Sequence, residues 1–323
     1  MNPYADKNYL HAKIHALRDQ LLKRNDYIKI INAQKPHLAF PTFISETDAQ
    51  DYTKVKEKIF RDQIKKILLI IESSNCYKDL FTSFLRFFEA SNVKLLLAKA
   101  FGRTMLIEQW NNISPHNAFG KDLLQRDMSL DEFKSLLGNT YLNNVIAGDF
   151  PFKYEELESR IDFYSVKYFF DFSKEILFSQ RSVFQEVMLR KVILLKIVWG
   201  FRLRQNYEWD DNKISGHLTS LYDFIDEFNG KAELINKIER QMHNKFQQTS
   251  DQIPKVSDIE NELERDFWTY IWKNFSRDFH SIYCVISYLW LLFYQIHNLF
   301  RIIEGLRFNV SPDIISKKII CEV

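Results

Sequence analysis

Two histidines and one aspartate-rich stretch come closest to the residue types and spacing of a metal site. His11 and His15 are four residues apart, so on a helix they share a face, as zinc ligands can. No glutamate completes an HExxH motif, and no third ligand lies nearby in the sequence. The stretch Asp210-Asp211-Asn212-Lys213 lacks the further carboxylate that the magnesium-binding helix of prenyl-diphosphate enzymes needs, and it falls in a loop pattern. We predict no metal site, with both histidines exposed on a polar helix.

Nucleotide binding and covalent catalysis also lack their usual signals. Neither GxxxxGK[ST] nor GxGxxG occurs, so no glycine-rich turn is available to surround a phosphate. There is no GxSxG elbow, and Cys76, Cys284 and Cys321 lie in apolar or terminal contexts that disfavour a thiolate. We therefore predict no catalytic residue and no cofactor. Three glutamates near helix starts are interpreted as stabilising the helix dipole rather than as acid and base pairs: Glu57, Glu158 and Glu262.

The composition of the chain predicts its secondary structure. A chain of 323 residues is long enough for two or three packing units. Only 8 glycines and 7 prolines occur, too few turn formers for a many-stranded sandwich or propeller. A hydrophobic fraction of 46% with 27% charged residues fits amphipathic helices around ring-rich cores rather than disorder. The sequence therefore predicts an all-α protein.

Charge and cysteine usage bear on partners and location. The chain has 44 lysines and arginines against 42 acidic residues, a net charge of +2, without the clustered excess that neutralises phosphates along nucleic acid. No CxxC pair is present, which favours a reducing compartment. The polar, charged start of the chain lacks the apolar core of a secretory signal. We predict a cytoplasmic protein that does not bind nucleic acid.

One apolar stretch is long enough to cross a bilayer. Residues 279–300 contain no Asp, Glu, Lys or Arg. Polar residues at both ends of the stretch leave a strictly apolar or aromatic core of about a dozen residues, the length of a buried helix. We therefore predict a buried core helix rather than a membrane span.

Long apolar helical runs end at three glycines, Gly102, Gly200 and Gly305, and an arginine follows each within two residues. Glycine just past the last turn is a common left-handed stop, and a cation there complements the negative end of the helix dipole. The glycines are roughly 100 residues apart, which indicates a repeat. We predict that each glycine ends its helix.

A second signal recurs upstream of these helix ends. The letters DFY at 162–164 align with DFW at 266–268, and Phe60, Phe163 and Phe267 each precede a cation on the following helix by about 34 residues. A period near one third of the chain predicts an internal triplication. The predicted helical lobes are residues 1–110, 111–212 and 213–323.

Several segments together resemble the C-type subunits of V-type ATPases, a family whose eukaryotic members are called d-type subunits. The segment WNNISPHNAFGKDLLQRDMSLDEFKSLLGNTYLNNVI at 110–146 is similar to the family's middle repeat. Asn-Val-Lys at 92–94 matches the helix that closes its first repeat, and Asn-Leu-Phe-Arg-Ile-Ile at 298–303 matches its last. Lys191 departs from the pattern, because the other copies place asparagine there. The similarity covers nearly the whole chain and rests on the order and spacing of these segments.

The resemblance implies a funnel of three similar helical lobes around a pseudo-threefold axis. Such a protein is a non-catalytic part of the rotor, in the central stalk, that couples the central shaft to the membrane proteolipid ring. It serves ATP-driven transport of protons or sodium ions, or ATP synthesis. Its implied location is peripheral, on the cytoplasmic face of the membrane. The implied partners are shaft subunits, the ring and the stator membrane subunit, with no cofactor and no small-molecule substrate.

Three alternatives stay open at this stage. The first concerns six cations that either contact the shaft or the proteolipid ring near the axis, or only complement the C-termini of their own helices. The second is a helical enzyme or small-ligand protein with an aromatic pocket, which only the high content of aromatic residues supports. The third is a scaffold of triplicated helices unrelated to any rotary motor, which would not copurify with a membrane ATPase. The six candidate partner-binding residues are Lys99, Arg103, Lys196, Arg202, Arg301 and Arg307.

Overall fold

The described residues of the computed structural model are helical and contain no strand, which confirms the predicted all-α class. They form two compact units: unit 1 comprises 1–92, 106–121 and 268–323, and unit 2 comprises 93–105 and 122–267. The lobe boundaries at residues 110 and 212 stay a prediction. The structure describes residues 3–40, 44–46, 51–103, 110–148, 152–172, 176, 178–222, 233, 235–238, 240, 255–275 and 280–322.

Unit 1 is organised around one long C-terminal helix. That helix, α11, packs against α1, α2, α4 and α12. Apolar faces of α2, α4, α11 and α12 form one cluster with buried Tyr27, Ile59, Ile302 and Ile315 among its members. The helices of this unit are α1 (Pro3–Asp19), α2 (Arg24–Asn32), α3 (Pro36–Ala39), α4 (Tyr52–Ser73), α5 (Lys78–Ala100) as far as Asn92, α10 (Val256–Phe275) from Trp268, α11 (Ile282–Arg307) and α12 (Pro312–Lys318).

The apolar stretch that could have crossed a membrane is α11. By length and composition this helix could span a bilayer, yet 89% of its most apolar window is buried inside the protein. Trp290 is fully buried, and its ring lies edge-on to Phe84 with the ring centroids 5.3 Å apart. Phe88 is also buried and packs on Phe293 at 5.3 Å. Offset and edge-on ring pairs of this kind stabilise a core beyond the area that they bury. The predicted buried helix is confirmed.

Unit 2 is built on two long helices, α7 and α8, which pack along each other and both contact α9. Ser129 and Glu132 form a capping box at the start of α6, each side chain accepting the other residue's backbone N–H. The helices of this unit are α5 from Val93, α6 (Leu130–Gly138), α7 (Tyr154–Asp171), α8 (Phe178–Tyr207), α9 (Asp211–Tyr222) and α10 as far as Phe267, with short 3-10 turns at Lys121–Leu124 and Asn143–Ile146.

Only one of the three predicted glycine stops is correct. Gly102 has a φ of 62° and follows the last turn of α5. Gly200 lies inside α8, which continues to Tyr207 and ends at Glu208 with a φ of 55°. Gly305 also lies inside its helix, and Asn309, with a φ of 52°, takes the left-handed position after α11. A left-handed residue therefore follows each of α5, α8 and α11, about 100 residues apart, but only the first of these three residues is glycine.

Gly305 serves close packing instead of helix termination. A Cβ atom at this position would lie 2.5 Å from Cδ1 and 2.6 Å from Cγ1 of Ile315 on α12. A side chain at position 305 would therefore force Ile315 to move, so the absence of one lets α11 and α12 pack closely at this point.

Gly305→Ala is expected to lower the free energy of unfolding by about 1–2 kcal/mol, because overpacking outweighs the gain in helix propensity. Gly216→Ala in α9 is the matched control, since a Cβ there meets nothing within 4 Å. The control should raise stability by about 0.5–1 kcal/mol. Urea unfolding of both variants checks this. An equal gain in both would mean that the close approach of α11 and α12 has no energetic weight.

A buried asparagine on each of two long helices holds the segment that follows the helix. Asn92 on α5 accepts from the backbone N–H of Asn111 at 2.8 Å and donates to its carbonyl at 2.9 Å. Asn298 on α11 makes the same pair of bonds with the backbone of Ile320, at 2.9 and 2.7 Å. Lys191 on α8, where the pattern expects asparagine, instead donates to both carboxylate oxygens of Glu264 at 2.7 and 2.9 Å. Two of the three predicted copies thus share the same pair of hydrogen bonds from a buried asparagine to the backbone of a following segment.

Candidate partner-binding surfaces

The six predicted cations are divided between the two units. Lys99 is partly buried and donates to the carbonyl of Leu124 at 2.7 Å. Lys196 is also partly buried, on α8. Their part in binding another subunit stays a prediction. Four lie in unit 2 and two in unit 1: Lys99, Arg103, Lys196 and Arg202, then Arg301 and Arg307.

Arg202 lies in a cluster of opposite charges within unit 2. Its Nη2 donates to both carboxylate oxygens of Glu260 at 2.9 and 2.7 Å. Asp162 lies close by, paired with Lys94 at 2.6 Å and accepting from Nε1 of Trp199 at 3.1 Å. Burial lowers the pKa of Arg202, but attraction to Glu260 and Asp162 outweighs that effect and raises it. The charge of Arg202 therefore holds α8 against α10.

Arg103 is more accessible than Arg202. Its guanidinium carbon lies 3.5 Å from the centroid of the Tyr154 ring, a cation–π contact. Burial and the carboxylate of Glu158 raise the pKa of Tyr154 to about 12, although Arg103 opposes the shift. Tyr154 is therefore a neutral ring at physiological pH. Arg103 is exposed and marks the end of α5, so it can still face another subunit.

The two cations of unit 1 also have partners within the chain. Arg301 donates from Nη1 to the carbonyl of Lys318 at 3.1 Å. Arg307 lies 4.0 Å from the carboxylate of Glu304, and its guanidinium is 5.2 Å from the centroid of the Phe308 ring. Arg301 thus ties α11 to the end of α12, while Arg307 lies beside an exposed aromatic ring.

Sequence reasoning missed the apolar surface next to Arg307. Phe308 is 61% exposed and Ile314 is 54% exposed, and they flank the turn between α11 and α12. Large apolar side chains this accessible, close to a cation, are typical of contacts with another protein. The sequence signal for this surface is Phe308 directly before Asn309. Asn309 adopts a left-handed conformation and ends the helix there, so Phe308 remains at the surface.

The predicted exposure of both N-terminal histidines is wrong. His11 is fully buried, with Nδ1 2.9 Å from Sγ of Cys284. His15 is partly buried, with its ring centroid 4.8 Å from that of Phe275. Asp211 and Lys213 lie in the first turn of α9 rather than in a loop. Lys213 stacks over the Trp209 ring at 3.4 Å. No group of three metal-ligating side chains occurs among the residues that the structure describes.

His217 on α9 has a strongly lowered pKa. Burial lowers its pKa from 6.5 to about 4, and the cations Arg160 and Lys213 add to this against the opposing carboxylate of Glu156. Its Nε2 lies 2.7 Å from the hydroxyl oxygen of Ser159 on α7. The imidazole is therefore neutral in the folded protein at pH 5, whereas it is protonated in the unfolded chain.

Because of His217, stability is expected to fall as the pH drops from about 6.5 towards 4. In that range the unfolded chain binds a proton that the folded protein does not bind. The loss from this group should reach about 2 kcal/mol at pH 5. Between pH 7.5 and pH 5, the free energy of unfolding should fall by about 2 kcal/mol less in His217→Gln than in the unmodified chain. Equal losses in both proteins, measured with urea, would contradict the assignment.

Comparison with known proteins decides the family. The model of the ATP synthase (C/AC39) subunit family matches residues 10–318 of this chain. The chain belongs to this family. The C/AC39 family comprises accessory subunits of V/A-type rotary ATPases, which confirms the resemblance seen in the sequence. A search of curated proteins gives no match.

Membership in the C/AC39 family makes the chain part of a V/A-type ATPase complex that is associated with a membrane. Subunits of such complexes act through contacts with other subunits. The exposed side chains of Arg103, Phe308 and Ile314 are therefore the candidate partner-binding residues with the most accessible surface among those described above.

Proposed function

We propose that this chain is a non-catalytic rotor component that couples the central shaft of a V/A-type ATPase to the membrane proteolipid ring. It transmits rotation during ATP-driven transport of protons or sodium ions, or during ATP synthesis. Three similar helical lobes form a funnel around a pseudo-threefold axis. The protein sits peripherally on the cytoplasmic side of the membrane, and the stator membrane subunit is a further partner.

The observation that carries this proposal is the order of three ion pairs. In each pair, the second long helix of one predicted lobe contacts the first long helix of the next: α5 with α7, α8 with α10, and α11 with α4. A series in which the last lobe returns to the first is what a threefold arrangement requires. The pairs are Lys94 with Asp162, Lys191 with Glu264, and Glu304 with Lys56.

The internal packing also suits a part that transmits torque. Such a part must not deform when one end is turned against the other, and close-packed interiors have low compressibility. Buried rings of Phe60, Phe88 and Trp290 interlock with partly buried Phe293 and Phe300 in unit 1. Ion pairs between the long helices resist sliding along their axes, because sliding would separate buried charges.

Attachment to the shaft or ring is assigned to the turn between α11 and α12. Phe308 and Ile314 provide exposed apolar area, and Arg307 provides a cation beside it. An apolar centre with an arginine at its side is the usual composition of an energetically important contact.

The double variant Phe308→Asp, Ile314→Asp tests this attachment in the intact complex. Both side chains are exposed, so the fold should be retained, while two carboxylates in the contact should lower ATP-driven cation transport about tenfold. ATP hydrolysis by the catalytic head should persist. Leu69→Asp on α4 is the matched control, because Leu69 is also apolar and 45% exposed, and it should transport normally. Normal transport by the double variant would exclude this turn as the attachment.

A further inference from the structure

Unit 1 contains a cleft of about 490 Å³ between α4 and the loop of residues 110–121. A volume of this size is within the range of ligand-binding pockets. Its lining has four basic side chains against the single carboxylate of Glu57. Lys121 pairs with Glu57, and Lys54 pairs with Asp51 at 3.6 Å just outside the lining, so at least two of the four cations have a carboxylate partner. Basic side chains still outnumber acidic ones in the lining of the cleft. The four cations are Lys54, Lys58, Arg61 and Lys121.

The cations of α4 form a row along one side of the cleft. Lys54, Lys58 and Arg61 follow each other at helical spacings of four and three residues, so they lie on one face and span about 10 Å. Lys121 stands on the opposite wall and pairs with Glu57 at 2.6 Å. Arg61 makes no ion pair with any residue that the structure describes.

The opposite wall is held in place by buried hydrogen bonds. Glu89, which is fully buried, accepts the backbone N–H groups of Ala118 and Phe119. Asn92 pairs with both backbone groups of Asn111. These bonds fix both ends of the loop to α5, so the cleft exists without a ligand and little order has to be created on binding.

The Asn112 amide on this wall is oriented by hydrogen bonds within the loop. Oδ1 of Asn112 accepts from the backbone of Ser114 at 3.0 Å and from Nδ2 of Asn117 at 2.8 Å. These bonds orient the amide group of Asn112 and leave its Nδ2 without an acceptor in the described part of the chain. Trp110 on the same wall is only 4% exposed and lines the cleft. A ligand with negative charge and hydrogen-bond acceptors suits the cations and the Asn112 amide of this lining.

We propose that the cleft binds an acidic segment of another protein, three to five extended residues with at least two carboxylates. Successive side chains on one face of an extended chain are about 7 Å apart, which matches a row of about 10 Å better than one compact anion does. Lysines bind as separate point charges, so they suit several carboxylates spread along a peptide. The binding is a property of this cleft and is independent of the rotor role.

The test measures binding of a fluorescein-labelled pentaglutamate peptide to the full chain by fluorescence anisotropy at low salt. Pentaglutamine should bind at least about tenfold more weakly. Lys58→Glu with Arg61→Glu should weaken pentaglutamate about tenfold, and Arg61→Gln alone about threefold. Asn112→Ala should weaken it about threefold without any change in charge. Lys255→Glu, an exposed reversal outside the cleft, should change the affinity less than twofold.

Four outcomes would overturn the proposal. The first is no binding of pentaglutamate by the unmodified chain at millimolar peptide. The second is equal weakening by Lys255→Glu and by the double reversal, which would indicate general electrostatic attraction. The third is unchanged affinity in both Arg61→Gln and the double reversal, with folding verified by thermal unfolding. The fourth is displacement of the peptide by inorganic pyrophosphate below the peptide's own dissociation constant, which would indicate a site for small anions.

Discussion

Replacing Glu89 with alanine should lower the free energy of unfolding by about 3–5 kcal/mol. The carboxylate is 0% exposed and receives a charged hydrogen bond from Arg86 at 2.6 Å as well as the backbone N–H groups of Ala118 and Phe119. Its removal leaves the buried N–H of Phe119 and the partly buried N–H of Ala118 without their acceptor and takes a carboxylate away from the Arg86 guanidinium, and both changes are costly in a low dielectric. Urea unfolding at pH 7 measures the loss.

The matched control is Glu57→Ala, which removes a carboxylate with a single, surface-exposed lysine partner, Lys121. Exposed ion pairs contribute little, so the control should lose less than about 1 kcal/mol. The Glu89 variant should also lose pentaglutamate binding, because the loop of residues 110–121 is no longer held against α5. A loss of stability below about 1 kcal/mol in Glu89→Ala would contradict the role assigned to this carboxylate.

Glu264→Ala is the second substitution with a large expected cost, again about 3–5 kcal/mol. The Lys191 side chain is only 7% exposed, and both carboxylate oxygens of Glu264 accept from its ammonium group. The ring of Phe267 lies nearby, with its centroid 5.5 Å from Nζ. Truncation of Glu264 removes the carboxylate that accepts both of these hydrogen bonds from a buried charge, which is costly.

Replacing both partners separates the cost of breaking the pair from its net contribution. Lys191→Met with Glu264→Leu fills the same space without charge, and such replacements are often neutral or stabilising. The double variant should therefore unfold within about 1 kcal/mol of the unmodified chain. If it is as unstable as Glu264→Ala, the two side chains contribute through shape rather than charge, and the explanation is wrong.

The helical class and the burial of α11 could be predicted from local features. Few glycines and prolines, long apolar periodicity and the polar ends of residues 279–300 are all visible without any tertiary contact. The ends of the helices could not be predicted in the same way. Glu208 and Asn309 adopt left-handed conformations that glycine would usually take, while Gly305 lets α11 pack closely on Ile315. The presence of glycine in the sequence therefore does not show whether the residue ends a helix or lets two helices pack closely.

The candidate surfaces were harder to predict than the fold, because they depend on which charges remain accessible. Lys99 and Arg202 look like surface cations in the sequence, yet each is committed to a carbonyl or carboxylate inside unit 2. Arg61 looks equally ordinary and lines the cationic cleft. Partners of a charged side chain lie tens of residues away in sequence, so helical periodicity predicts its face but not its partner.

As a rotor component, this protein is proposed to turn with the shaft. The most direct measurement attaches a gold bead to it through Lys255→Cys, in a complete ATPase immobilised by its catalytic head. On addition of ATP, the bead should rotate in steps, in the same direction as a bead on the shaft. A bead that stays still while the shaft rotates would assign the protein to the stator and exclude the proposed rotor role.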